Sequence, residues 1–175
     1  FGGRLASALN RNRYVPHQTV KPTGKTYWAV STTCEWLYKF VTENPLAKLK
    51  EFMLSNREWA REFLRGIYDS EGYPKHTYGK LDKIGLENTN LELINVIEEL
   101  QSKLWGIFSR TYLVLKAGTP RIICGKATRS TKDLYRLVIG KKVDIKKFAE
   151  EVSFTIPEKR LALESWLHAN SPSQL

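Results

Sequence analysis

Phe63-Leu64-Arg65-Gly66-Ile67-Tyr68-Asp69-Ser70-Glu71-Gly72 is the stretch on which the reading of this chain turns. Ser55-Asn56-Arg57-Glu58 places a hydroxyl three residues before a carboxylate, a capping box that opens a helix. Trp59, Phe63, Leu64 and Ile67 carry its apolar content, and Gly72 stops it. The helix ends in two acids, Asp69 and Glu71, where its dipole is already negative, so each carboxylate is disfavoured by a few tenths to about 1 kcal/mol. A cation is therefore expected to compensate them. Gly66 costs about 1 kcal/mol against alanine in mid-helix, a cost that signals close approach of another backbone. The plainer alternative is a capped helix with solvated acids and an accidental glycine.

Downstream, the polar run from Tyr73 to Asn90 fits a hairpin, and Leu93, Ile97, Leu100 and Leu104 mark an amphipathic helix. Thr111–Lys116 and Arg121–Cys124 read as two strands around a Gly118-Thr119-Pro120 turn. Ser130–Ile139, Asp144–Val152 and Pro157–Leu167 read as helices. Upstream, residues 1–31 suggest a long hairpin with a basic tip at Lys21-Pro22-Thr23-Gly24-Lys25. Thr32-Thr33-Cys34-Glu35 then opens a helix through Trp36, Leu37, Phe40 and Val41, and Asn44-Pro45 restarts one through Leu46, Leu49, Phe52 and Met53. Thr33–Val41 laid over Ser130–Val138 matches Leu on Leu, Tyr on Tyr, Lys on Arg and Val on Val at an offset of 97 residues, which suggests a repeat.

At 175 residues and 42% apolar, the chain suits one compact domain or two small repeats sharing a core. Lysine and arginine number 28 against 18 acids, a net charge of +10 and a pI near 9.6, so the surface favours a polyanion, nucleic acid before an anionic membrane. With no apolar run long enough to span a bilayer, no membrane partner is expected, and the protein reads as soluble and cytoplasmic. Cys34 and Cys124 show no metal or redox spacing and read as core residues.

Leu64 to Gly72 resembles the nine-residue motif of the LAGLIDADG homing endonucleases, with Leu64, Gly66, the sixth-position acid Asp69, the eighth-position acid Glu71 and the final Gly72 in place. Ile84 to Leu93 is similar to the family's second strand and helix start, and Ile156-Pro157-Glu158-Lys159-Arg160 to its closing segment. The resemblance implies an α+β fold of αββαββα repeats about a pseudo-twofold axis, with a β-saddle over double-stranded DNA. Residues 1–54 would be the C-terminal part of a first, truncated repeat and 55–175 the second. Glu71 would be the metal ligand, with Mg²⁺ or another divalent cation as cofactor. Gly66 would sit at the helix interface, and Asp69 would take a structural, helix-end role there. Asn88 would order water near the metal, with a plain helix cap as the alternative. Lys126, or Lys75 in its place, would lie near the scissile phosphate.

Hairpin residues would do the reading: Arg11, Arg13, Lys75, Lys80, Lys83, Arg110, Arg121 and Arg129 on phosphates or guanines, and Asn10, Asn12, His76 and Tyr78 on base edges or shape. Carried back by the repeat offset, the partner of Glu71 falls before Phe1. The expectation is therefore a monomer with a missing N-terminal segment, or a homodimer. The functional expectation is a site-specific endonuclease encoded in a mobile intron or intein. The alternative is an intron RNA maturase or a non-cleaving nucleic-acid-binding protein, against which the acid retained at Glu71 counts.

Overall fold

The computed structural model describes residues 17–20, 26–29, 43, 45–123 and 125–170. The chain divides into two compact units, Phe1–Asn44 and Pro45–Leu175. In the first, β1 (His17–Val20) pairs antiparallel with β2 (Thr26–Ala29), His17 opposite Ala29. Asn10, Arg11, Asn12, Arg13, the basic turn at 21–25, the helix expected over 33–41 and both cysteines lie outside the described residues.

The second unit contains α1 (Leu46–Ser55), α2 (Arg57–Glu71), β3 (Gly72–Thr77), β4 (Lys80–Asn88), α3 (Leu91–Trp105), β5 (Arg110–Leu115), β6 (Pro120–Ile123), β7 (Lys126–Arg129), β8 (Leu134–Ile139), α4 (Lys142–Glu151) and α5 (Pro157–Asn170). Four strands form one antiparallel sheet in the order β3-β4-β8-β5. From α2 to α4 the order is αββαββα, with a β6-β7 ribbon inserted before the last strand and α5 added at the end.

Side chains spaced by four residues on α2, Ala60, Leu64 and Tyr68, are all fully buried. They meet Ile84 and Leu86 of β4, Leu137 and Ile139 of β8, and Ile94, Ile97 and Leu100 of α3 in one core. Strand alternation puts those β4 and β8 side chains on the covered face and leaves Lys83, Glu87 and Arg136 on the other.

Residues 134–139 are a strand and not the end of a helix. Leu134, Leu137 and Val138 satisfy a helical period, but Leu137 and Ile139 point inward and the segment pairs on both sides, Leu86 opposite Leu137 and Thr111 opposite Leu137. Ladders on both sides outweigh the local period. The strands expected to pair around Gly118 pair elsewhere: β5 with β8, and β6 with β7. The comparison of Thr33–Val41 with Ser130–Val138 as two helices fails at its second copy, and the 97-residue offset relates no helix pair. Asn56, not Ser55, caps α2: its side chain accepts from the Trp59 amide at 3.1 Å, while Ser55 bonds back to the Phe52 carbonyl and Glu58 pairs with Arg61. The second unit begins at Pro45, and α1 packs there against α3 and α2.

Candidate active site and nucleic-acid interface

The end of α2 is anchored from below. Tyr68 is fully buried among Phe148 and Phe154, with ring centroids 4.6 and 6.2 Å away, and its hydroxyl donates to Gln101 Oε1 at 2.9 Å. Burial pushes this phenol far above its usual pKa, so it stays a donor. One residue on, the Asp69 carboxylate accepts from the Thr155 amide at 2.9 Å, the Ile156 amide at 3.4 Å and the Thr155 hydroxyl. It thereby caps the start of α5, where the helix dipole favours an anion.

Lys159 of α5 returns the contact. Its ammonium donates to the carbonyls of Asp69 and Gly72, both at 2.6 Å, and of Tyr68 at 3.3 Å, and lies 5.6 Å from the Phe154 ring centroid. This is the cation that the dipole of α2 calls for. Its partner carbonyls lie about ninety residues earlier in the chain, so no local pattern connects them.

Glu71, the last residue of α2, is exposed and makes no hydrogen bond or ion pair among the described residues. Gly72 follows with extended backbone, φ −89°, not the left-handed turn of a typical capping glycine. A Cβ at Gly72 would stand 2.6 Å from both the Tyr68 ring and the Tyr68 carbonyl, so only glycine lets the helix pass straight into β3. Lys159 already occupies the neighbouring carbonyls and Asp69 is fully engaged. Among the described residues no cluster of three or more His, Cys, Asp or Glu could hold a metal. At the end of α2 the described residues thus leave the Glu71 carboxylate without a partner, a hard oxygen donor that fits Mg²⁺ when phosphate oxygens and a further acid complete the shell.

Asn88 ends β4 opposite Tyr135, and its Oδ1 accepts from the Asn90 amide at 2.8 Å. Asn90 is the residue that caps α3, accepting from the Leu93 amide. Lys126 heads β7, exposed on the ribbon opposite Ile123, and does not follow the fourth strand of the sheet, which is β8. Gly66 lies off the buried stripe of α2, and a Cβ there would meet nothing within 4 Å among the described residues.

The uncovered face of the sheet forms a hollow of about 590 Å³ whose cations are Lys75, Lys83, Arg110, Arg136 and Lys141. His76 and Lys80 line a second hollow, between the β3-β4 tip and α5, and Tyr78 is wholly exposed at that tip with φ 51°. Arg121 and Arg129 line a third, at the base of the ribbon. The candidate contacts therefore fall in three separate hollows, on the open face of the four-stranded sheet, against α5 and beside the ribbon, and not in one cluster. Arg136 and Tyr73, which line the first hollow, both reach Glu87: its Oε1 accepts from Arg136 Nε at 2.6 Å, with Nη2 at the same distance as an ion pair, and from the Tyr73 hydroxyl at 3.0 Å.

A helix that delivers a free acid at its end, a hairpin that continues it without a loop, and a basic antiparallel sheet define a class of protein. Residues 58–153, more than half of the chain, match the family model of a LAGLIDADG-like domain. The chain belongs to the LAGLIDADG homing endonuclease family. It is 35% identical over 147 residues to the uncharacterized protein MJ0398 of Methanocaldococcus jannaschii, a match that takes in 84% of this chain and 51% of that one. The chain thus spans about half the length of the curated relative it matches.

Among solved structures it resembles mesophilic variants of the homing endonuclease I-DmoI, with a TM-score of 0.59 and 21% identity over 94% of this chain and 73% of that one. I-DmoI in complex with DNA and Ca matches with a TM-score of 0.58 and 18% identity over the same shares. These likenesses establish the α+β fold.

Proposed function

We propose that the protein is a site-specific, divalent-metal-dependent DNA endonuclease that makes double-strand breaks in a long target and is encoded within a mobile intron or intein, acting in the cytoplasm. The observation that carries this reading is Glu71: an unpaired carboxylate fixed at the end of a rigid helix, beside a sheet face lined by cations. The solved structures of I-DmoI with DNA and Ca, and of a variant with its target DNA in 2 mM Mg, support DNA and a divalent cation as partners.

Glu71 would hold one cation together with phosphate oxygens. The bound ion would supply stabilisation of the charge that develops on the phosphate. Lys159 and Asp69 fix the backbone on either side of Glu71, so the carboxylate is presented with little freedom left to lose. Lys75, Lys83 and Arg110 neutralise phosphates and position the duplex. A second acid would come from polypeptide not represented among the described residues or from a second copy, with Gly66 on the open face of α2 as the point of contact.

The test is to select duplexes from a random-sequence pool, place a selected target in a plasmid, and incubate it with the wild-type chain and with Glu71→Gln. Linear product that needs Mg²⁺ in wild type, with full binding and no cutting by the variant, is the expected result. Cleavage by Glu71→Gln at the wild-type rate would overturn the reading.

A further inference from the structure

The basic sheet face carries an acid where phosphate attraction alone would have none. Glu87 is opposite Arg136 in the β4-β8 ladder, and one of its oxygens takes the Nε hydrogen of that arginine and the Tyr73 hydroxyl, with Nη2 paired to it at 2.6 Å. Tyr73 is held in turn by Gly85, directly opposite it on β4. A Cβ at Gly85 would come within 2.6 Å of the tyrosine ring, so the ring lies across the glycine and its hydroxyl reaches Glu87. Burial first, and then the hydrogen bond to Glu87, raise the pKa of Tyr73, which keeps the phenol protonated as a donor. Arg136 nevertheless lines the hollow and keeps 34% of its side-chain exposure.

Lys75 and Arg110 on the same face have no partner among the described residues, as a group waiting for phosphate should be. Arg136 is different, because its charge is cancelled in place and it adds little to long-range attraction. What it retains is geometry. Glu87 takes the Nε hydrogen and pairs with Nη2 on that same edge, leaving the outward hydrogens of Nη1 and Nη2, a fork that matches N7 and O6 of guanine. Its rotamer is already fixed, so little further entropy is lost on binding.

We propose that Arg136, held by Glu87 and Tyr73, is a specificity-determining residue that reads a guanine in the major groove of the target. This rests on the DNA-binding reading above. Glu87 and Tyr73 act as positioning residues, and Glu87 also repels a phosphate from that spot, which keeps the arginine for a base edge.

The experiment repeats the random-duplex selection with the wild-type chain, Arg136→Lys, Arg136→Ala and Glu87→Gln, and measures the salt dependence of binding for each. Wild type is expected to enrich a motif with an informative G·C pair that both Arg136 variants lose. That loss of discrimination is expected to be about 5- to 150-fold at the one position, the range of a good bidentate pair. Arg136→Lys keeps the charge and guards against a misfolded alanine variant. Its slope of log affinity against log salt should stay at the wild-type value. Glu87→Gln should blur the same position while binding unselected DNA more tightly.

An unchanged motif in the Arg136 variants overturns the proposal. So does a uniform loss of affinity with the slope reduced by about one, the signature of a phosphate contact. A wild-type chain that enriches no motif and binds without salt dependence overturns the endonuclease reading itself, before any variant is considered.

Discussion

Lys159 and Asp69 hold each other's helix ends: the lysine ammonium sits 2.6 Å from the Asp69 carbonyl, while the Asp69 carboxylate takes the first amides of the segment that leads to Lys159. One pair of residues thus answers both dipoles, the negative end of α2 and the positive end of α5.

Replacing the lysine tests the first half of that exchange. Lys159→Met leaves three carbonyls at the end of α2 without their cation and is expected to cost about 1–3 kcal/mol in urea denaturation, the range for charged hydrogen bonds. Lys159→Arg should recover part of it. A methionine variant as stable as wild type would show that water replaces the ammonium at no cost.

The second half predicts a loss of the same kind from the other side. Asp69→Ala removes the cap of α5 and is expected to destabilise by about 1–2 kcal/mol. Because Asp69 and Lys159 join the same two elements, the double variant should lose less than the two single losses combined. Strict additivity in that cycle would count against the coupling.

Two glycines separate a rigid clash from a yielding one. At Gly72 an added methyl meets the Tyr68 carbonyl and Cα as well as its ring, and backbone cannot step aside. At Gly85 it meets only the outer atoms of the Tyr73 ring, which can swing away. Gly72→Ala should therefore lower the melting temperature more than Gly85→Ala, and Tyr73→Leu should relieve the second but not the first.

Lys75 and Lys83 face each other directly across the β3-β4 ladder and line the same hollow. Like charges so placed destabilise the free sheet, and phosphate relieves them. Lys75→Gln is expected to raise the melting temperature slightly while flattening the salt dependence of DNA binding by about one unit. The same flattening is expected for Lys80→Ala and for Lys83→Ala. A variant that binds as before, with an unchanged slope, would remove Lys75 from the interface.

What could be read in advance divides along physical lines. The motif helix, the hairpin after it and the helix from Leu91 follow from caps, apolar spacing and turn residues that lie within a few positions of one another. Leu134–Ile139 does not, because its apolar residues fit a helix and a strand equally well, and β4 and β5, which decide the matter, are brought to it only by the fold. The acids are a second case. Asp69 and Glu71 read alike as letters. They part company in space, since one meets the start of α5 and the other meets nothing among the described residues. Lys159 was visible as a residue but not as a partner, for the same reason of distance along the chain.

No spacer separates Glu71 from Gly72, so the carboxylate and the first residue of the β3-β4 hairpin share a single rigid joint. Any tilt that a bound duplex imposed on β3 would be passed to the acid without slack, as a key turns its own bolt. A change that re-aims the hairpin toward a new sequence must also re-aim the carboxylate. On the proposed function, engineering a different target would therefore be easiest at Arg110, Arg121 or Arg129, on strands that do not continue directly from that joint, and hardest at Tyr73 and Lys75, which ride directly upon it.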